Sequence, residues 1–151
     1  MKIAIDSDCN GVDLKRILLE FLENCGFDIS DLNYTENRSD IDYPDVAFNM
    51  AKEIQSTDYS KGILICGTGQ GMAIAANKMP GIYAGACADV YAAERLCKSN
   101  NAQIITLGSQ VTGSESAKAI VKAFVESEFQ GGRSLPKVEK IKAFEIRLTE
   151  R

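Results

Sequence analysis

The chain has 151 residues, 45% apolar and 25% charged, which is enough apolar material for a globular core. A net charge of −4 without a basic stripe excludes the electrostatic footprint of a nucleic-acid binder, and no apolar run approaches the roughly 20 residues of a membrane span. The complete lack of histidine excludes histidine general bases, Cys-His and Ser-His pairs, and zinc sites built on histidine.

Hydrophobic patterning predicts strands that alternate with helices along the chain. Branched apolar runs predict strands at residues 2–6, 27–32, 62–66, 82–87 and 102–107. Helical spacing predicts helices at residues 11–25, 44–55, 90–98, 114–128 and 137–149, and an Ala-rich helix that ends at Lys78. This alternation indicates an α/β fold, a Rossmann-like three-layer sandwich with a five-stranded parallel sheet and a C-terminal helix, in a single domain spanning residues 1–151.

The third strand leads into a cysteine and a glycine-rich turn. The strand stops at Cys66, and the chain then turns through Gly67, Gly69 and Gly71 into the Ala-rich helix. This arrangement places a thiol beside free backbone N–H groups, which stabilise a thiolate and an oxyanion. The segment therefore predicts a thiolate base next to a developing negative charge, and the alternative is a buried, inert thiol.

Several better-known motifs almost match and are rejected. Residues 6–11 imitate the beginning of a calcium loop, but the acid required at the twelfth position is Ile17. The glycine turn lacks the Gly-Lys-Ser/Thr of a phosphate-binding P-loop. Met72 stands at the position where a dinucleotide-binding turn has its third glycine, and also where a tyrosine-phosphatase loop has its arginine.

The carboxyl ends of parallel strands gather at one edge of a sheet, where ligands bind in such folds. The segments expected at this edge are 6–11, 66–71, 88–91 and 108–110. Asp8 either orients substrate hydroxyls or caps the next helix, and Thr68 either donates to the same ligand or caps its own helix. Arg133 and Lys137, which flank a glycine pair and a proline, form either a phosphate clamp or ordinary solvated charges.

The cysteines predict a reducing compartment. Their number, five, is odd, and none of them has CxxC spacing. The N-terminus reaches the acid Asp6 too early for a signal peptide, so we expect reduced thiols in a cytoplasmic protein.

The segments Cys66-Gly-Thr-Gly-Gln-Gly and Ala75-Ala-Asn-Lys together resemble the ribose-5-phosphate isomerase B family, which includes the galactose-6-phosphate isomerase subunits. The resemblance covers nearly the whole chain. Further matching segments are 2–4, 42–44, 107–109 and 131–133. The resemblance implies interconversion of aldose and ketose sugar phosphates, of the ribose 5-phosphate/ribulose 5-phosphate type, through an enediolate and without a metal or other cofactor. It also implies a homodimer or homotetramer whose active sites are shared between subunits.

The resemblance also implies residue roles. Cys66 would move a proton between C1 and C2 through an enediolate, and Thr68 would hold the enediolate oxygen together with the loop amides. These amides belong to Gly67, Gly69, Gln70 and Gly71. The other substrate-binding positions implied are Asp8, Cys9, Tyr43, Ser99, Asn100, Arg133 and Lys137. Among them, Arg133 would bind the phosphate, and Lys137 stands where the family often has a second arginine.

The chain departs from the family pattern at positions that matter for the substrate. Cys9 and Ser99 stand where the family usually has histidines, and the second of those histidines assists sugar ring opening. Gln110 replaces a common arginine, and Asp6 replaces a glycine. The phosphate-binding site therefore carries less positive charge, and the group that opens the sugar ring is missing.

These departures leave several substrates and functions open. Ribose 5-phosphate closes into a ring through its 4-hydroxyl, whereas a tetrose 4-phosphate carries phosphate on that oxygen and stays open. A tetrulose-4-phosphate isomerase would explain a retained Cys66 together with a missing histidine. The alternatives are slow turnover of ribose 5-phosphate, a hexose 6-phosphate substrate, a non-catalytic sugar-phosphate-binding paralogue or silent subunit, and redox sensing by Cys66.

Overall fold

The computed structural model describes residues 1–151 and contains one sheet of five parallel strands. The strands are β1 (Lys2–Ser7), β2 (Asp28–Asp31), β3 (Tyr59–Cys66), β4 (Ala84–Ala86) and β5 (Ile104–Gly108). Their order in the sheet is β2-β1-β3-β5-β4, so the chain reverses its direction of winding between β1 and β3. Ligands of open parallel sheets bind at such a switch point, beyond the carboxyl ends of the strands.

The chain has six α-helices, and the last of them forms its C-terminal segment. They are α1 (Val12–Asn24), α2 (Tyr43–Ser56), α3 (Gln70–Ala76), α4 (Val90–Asn100), α5 (Ser114–Val125) and α6 (Leu135–Thr149). The helices α1, α4 and α5 share a buried apolar cluster with one face of the sheet, and α2 and α3 share a second cluster with the other. The predicted three-layer sandwich with a parallel sheet is thus confirmed. None of the helices combines the length and apolar character that crossing a membrane requires.

The alternation of side chains along β3 decides which layer receives the cysteine. Ile63 and Ile65 pack into the cluster under α1 and α5, whereas Leu64 and Cys66 pack into the cluster under α2 and α3. Successive side chains of a strand point to opposite faces of the sheet. Cys66 therefore ends the strand on the face where the glycine turn enters α3.

Some element boundaries differ from the sequence prediction for reasons of tertiary contact. β3 begins three residues earlier than predicted, because Tyr59 pairs with Lys2 of β1. α5 ends at Val125, three residues earlier than predicted. The Lys61 ammonium donates there to the carbonyl oxygens of Phe124, at 2.8 Å, and Val125, at 3.1 Å, and this stabilises the helix end. Burial lowers the pKa of Lys61.

Candidate active site

The turn after β3 holds the Cys66 sulfur against a backbone donor. The side chain is only 5% exposed, and its Sγ accepts a hydrogen bond from the Gly69 N–H at 3.0 Å. Gly69 has φ +80°, and a Cβ at this position would lie 2.9 Å from the carbonyl carbon of Leu107. Only glycine satisfies both the backbone angle and the close approach of β5.

The turn that follows β5 locks this loop in place. The Ser109 N–H donates to the Cys66 carbonyl at 2.8 Å, and the Gln110 N–H donates to the Gly67 carbonyl at 3.0 Å. The buried Thr106 hydroxyl donates to the Gly69 carbonyl at 2.6 Å. Three hydrogen bonds from one neighbouring strand and its turn therefore hold the loop backbone.

Several backbone donors of the loop remain available for a ligand. The N–H groups of Gly67, Thr68 and Gly71 donate to no atom of the chain. The Thr68 Oγ1 accepts the Gln70 N–H at 3.3 Å, and its hydroxyl proton is available for a ligand. The N-cap of α3 is Gly69, without a side-chain cap, so the structure does not support the capping interpretation of Thr68. Because α3 has only seven residues, these individual N–H groups matter more than a helix macrodipole.

Tyr43 and Asp8 border the same loop. A Cβ on Gly71 would lie 2.6 Å from the Cζ of Tyr43, so the ring packs directly on the loop backbone. The Asp8 N–H donates to the Ile65 carbonyl at 3.2 Å, and its carboxylate accepts the Asn10 N–H at 2.9 Å. Asp8 thus holds its own turn, and α1 has no side-chain cap, so the predicted alternative of a helix-capping Asp8 is wrong. Cys9, next to it, is exposed.

The side chain of Asp6 takes no part in this edge, in contrast to the sequence expectation. It is fully buried and accepts the N–H of Ser7 at 2.8 Å and the N–H of Tyr34 at 3.0 Å. Its remaining partner is the Lys15 ammonium at 3.5 Å, which also binds Asp31 at 3.0 Å. Burial raises the pKa of Asp6, and the two backbone donors oppose this shift. Asp6 belongs to a buried charge cluster between β1, β2 and α1.

The remaining candidate residues lie in a groove of about 750 Å³, which we call the basic groove. It runs along α4 to the beginning of α6. Its lining residues are Tyr91, Arg95, Ser99, Asn100, Gln130, Gly131, Gly132, Arg133, Ser134, Lys137, Val138 and Ile141. None of them is acidic. The shared groove supports the phosphate-clamp interpretation of Arg133 and Lys137 over that of isolated solvated charges.

Arg95 is a candidate that the sequence reasoning missed. Its guanidinium donates from Nε, at 2.8 Å, and Nη2, at 2.6 Å, to the Ser99 hydroxyl oxygen. Nη1 and Nη2 both lie 3.4 Å from the Gln130 amide oxygen. The sequence signal that could have found this pair is the four-residue spacing of Arg95 and Ser99, which places both side chains on the same face of a helix.

Within one chain, the basic groove and the Cys66 loop are separate. Cys66 pairs with Gly108 at the end of β5, whereas Asn100 ends α4 just before β5 begins at Ile104. Four residue steps of β5 span about 13 Å. The small cavity beside the loop, about 290 Å³, is lined by Thr68, Gln70, Ala86, Cys87, Ala88, Gly108, Val111 and Thr112. It shares no residue with the basic groove, so the structure brings together Cys66, the loop, Tyr43 and Asp8 but not Ser99, Asn100, Arg133 and Lys137.

No three His, Cys, Asp or Glu side chains converge as possible metal ligands.

Comparison with known proteins decides which family the chain belongs to. A family model described as Ribose/Galactose Isomerase matches residues 3–141. The chain belongs to this ribose/galactose isomerase family. The predicted family is thereby confirmed, as is the predicted activity, aldose–ketose isomerisation of a phosphorylated sugar.

Members of the ribose/galactose isomerase family resemble this chain over nearly its full length. The D-erythrulose-4-phosphate isomerase of Pectobacterium atrosepticum is 46% identical over 145 residues, which is 96% of this chain and 95% of the relative. The ribose-5-P isomerase B of Listeria innocua is 45% identical, covering 92% of this chain and 93% of the relative. The structure of ribose-5-phosphate isomerase B from Clostridium thermocellum superposes with a TM-score of 0.91 at 42% identity, covering 98% of this chain and 99% of the other.

Proposed function

We propose that this isomerase converts a tetrulose 4-phosphate and its aldose, with Cys66 as the base, in an active site that two chains build together. The observation that carries the assignment of Cys66 is its hydrogen bond from Gly69, 3.0 Å long, beside the free donors of the loop. A buried thiolate needs such a donor, and a developing oxyanion needs the others.

The proton transfer uses groups of this loop. The Cys66 thiolate removes a proton from C1 of the ketose, and the electron pair of the broken C–H bond forms the C1–C2 double bond. The carbonyl oxygen takes the negative charge and is bound by N–H groups of Gly67, Thr68 and Gly71. The proton of the C1 hydroxyl moves to the C2 oxygen, so the negative charge passes to the oxygen on C1. The thiol then returns its proton to C2, the C1–O bond becomes the aldehyde carbonyl, and the thiolate is restored. No redox partner is needed, because the two carbons exchange oxidation states.

The substrate assignment rests on the absence of a group that opens a sugar ring. Serine is a poor acid or base near neutral pH, and Ser99 already accepts two hydrogen bonds from Arg95. A four-carbon sugar with phosphate on O4 has no free hydroxyl for a five-membered ring and needs no such group. The relative from Pectobacterium, named D-erythrulose-4-phosphate isomerase, supports the same choice.

A shared site accounts for the separation of the two groups of residues. The Cys66 loop of one chain would face the basic groove of a second chain, which supplies Asn100, Arg133 and Lys137. The helix α6 supports such a pairing, because it buries only Val138 against its own chain. Its apolar residues Leu135, Ile141, Phe144, Ile146 and Leu148 are 45–58% exposed. A homodimer or homotetramer would cover them, and the five cysteines, none of which forms a disulfide, support a cytoplasmic assembly.

Deuterium exchange in heavy water tests the assignment of Cys66. Wild type should exchange the carbon-bound protons beside the carbonyl of erythrulose 4-phosphate, as followed by NMR. It should also isomerise erythrose 4-phosphate, which stays open, faster than the ring-forming ribose 5-phosphate. Cys66→Ala should slow the exchange at least about 100-fold, the contribution of a positioned general base. Cys97→Ala is the matched control, because Cys97 is equally buried but lies on α4 outside the loop.

The outcomes of this assay separate the alternatives. Exchange that survives in Cys66→Ala would refute the thiolate base. Faster isomerisation of ribose 5-phosphate than of erythrose 4-phosphate by wild type would refute the tetrulose assignment and leave the base intact. Binding of both sugars without any exchange would indicate a non-catalytic paralogue.

Mixing of two inactive variants tests the shared site. Cys66→Ala and Arg133→Gln should each lose most of their activity as homo-oligomers. After subunit exchange, a mixed pair has one site with both changes and one site with neither, so activity should return to a substantial fraction of wild type. A mixture that stays inactive, despite mixed oligomers in native mass spectra, would place all site residues within one chain.

A further inference from the structure

We propose that Arg95 is a further ligand for the substrate phosphate, in addition to Arg133 and Lys137. The inference rests on the proposed function, because it concerns the phosphate of that substrate. It starts from the position of the guanidinium in the basic groove, which also holds Arg133 and Lys137.

The guanidinium of Arg95 is held in a defined orientation. Ser99 accepts from Nε and Nη2 along one edge, and Gln130 accepts from Nη1 and Nη2 along the next. Both partners are neutral, and Arg95 forms no ion pair with a carboxylate. The two acceptors therefore orient the fork, and they leave one Nη1 N–H and the uncompensated positive charge for an anion.

This arrangement fits anion binding and excludes proton transfer. Arginine remains protonated in proteins, so Arg95 cannot act as an acid or a base. A guanidinium is suited to bind the oxygens of a phosphate, and it gains most where no acid competes for its charge. In the basic groove no lining residue is acidic, so a dianionic phosphate is the ligand that its three cations favour.

The place of Arg95 fits the same ligand. Arg95 lies on α4 one turn before Ser99, in the groove that also holds Arg133 and Lys137. A phosphate bound by those two cations therefore lies in the same groove as the guanidinium. Ser99 then acts as a positioning residue for Arg95.

Steady-state kinetics of Arg95→Gln test the proposal. The KM for erythrulose 4-phosphate should rise about 30-fold, the usual loss for hydrogen bonds to a charged group, while kcat changes less than about threefold. The inhibition constant of inorganic phosphate should rise about tenfold. Arg16→Gln is the control, because this substitution removes the same charge from an exposed face of α1, outside the basic groove.

Two Ser99 variants test the positioning role. Ser99→Ala removes the acceptor and should raise the same KM by several-fold, whereas Ser99→Thr keeps a hydroxyl oxygen and should restore most of the affinity. Circular dichroism and thermal unfolding verify that each variant is folded. If Arg95→Gln does not fold, an unchanged KM in the folded Ser99→Ala would overturn the proposal.

The results distinguish this inference from the proposed function. An unchanged KM and phosphate inhibition in folded Arg95→Gln would overturn the role of Arg95, and the tetrulose substrate would stand. Faster turnover of ribose 5-phosphate than of erythrose 4-phosphate by wild type would refute the substrate. Weaker phosphate inhibition in Arg95→Gln would then still support Arg95 as a phosphate ligand.

Discussion

Replacement of Gly69 by alanine tests how the structure positions the thiol. Gly69 has φ +80°, and its Cβ would approach backbone atoms of Leu107 to between 2.9 and 3.2 Å. These backbone atoms belong to a central strand and cannot move aside as a flexible side chain could. Gly69→Ala should therefore shift the loop, and with it the N–H that donates to the Cys66 sulfur.

Two other glycines separate the contributions to this effect. Gly26 has φ +87° with nothing within 4 Å of an added Cβ, so Gly26→Ala reports the backbone strain alone, about 1–2 kcal/mol. Gly113 has no positive φ and equally open surroundings, so Gly113→Ala should change stability by less than about 0.5 kcal/mol. Gly69→Ala combines the strain with overpacking that costs about 1–3 kcal/mol, for a total of about 2–5 kcal/mol.

Urea unfolding and isomerase assays measure both consequences. Gly69→Ala should lower the free energy of unfolding beyond Gly26→Ala and reduce kcat about 100-fold, because a misplacement of about 1 Å at the reacting groups has this effect. The Gly26 and Gly113 variants should keep wild-type kcat. Equal destabilisation by Gly69→Ala and Gly26→Ala, together with normal turnover, would refute the close contact between the loop and β5.

The titratable groups give two further expectations. Burial raises the pKa of Cys87 to about 11. Iodoacetamide at pH 8 should therefore modify the exposed Cys9 and Cys25 and spare Cys87, as measured by peptide mass spectrometry. Rapid labelling of Cys87 would contradict its burial. Because the pKa of Asp6 is raised in the folded protein, the folded state holds this proton more tightly than the unfolded chain. Stability from this group is fully present below the usual pKa of about 3.8 and falls as the pH rises through the raised value. Urea unfolding of wild type minus Asp6→Asn should show this fall, and a flat difference would contradict it.

The order of strands and helices follows from local patterning. Runs of branched apolar residues and helical spacing identified every element, because each element buries one face or stripe and repeats its apolar residues with its own period. Observed boundaries differ from the predicted ones where a residue distant in the sequence makes a contact, as for Tyr59 beside Lys2 and for the end of α5 beside Lys61. Such contacts join residues about 60 positions apart and leave no local pattern.

The sequence by itself also indicated the Cys66 loop, because glycines permit the positive φ and the close backbone approach that a tight turn from a strand into a helix requires. Only the tertiary structure decided that Asp6 faces a buried lysine, that Ser99 holds Arg95, and that the basic groove lies away from Cys66. The physical reason is geometric. Side chains of a strand alternate between faces, and α4 carries the chain back from the carboxyl edge of the sheet to its amino edge, so residues assigned to one site on sequence grounds end at opposite edges.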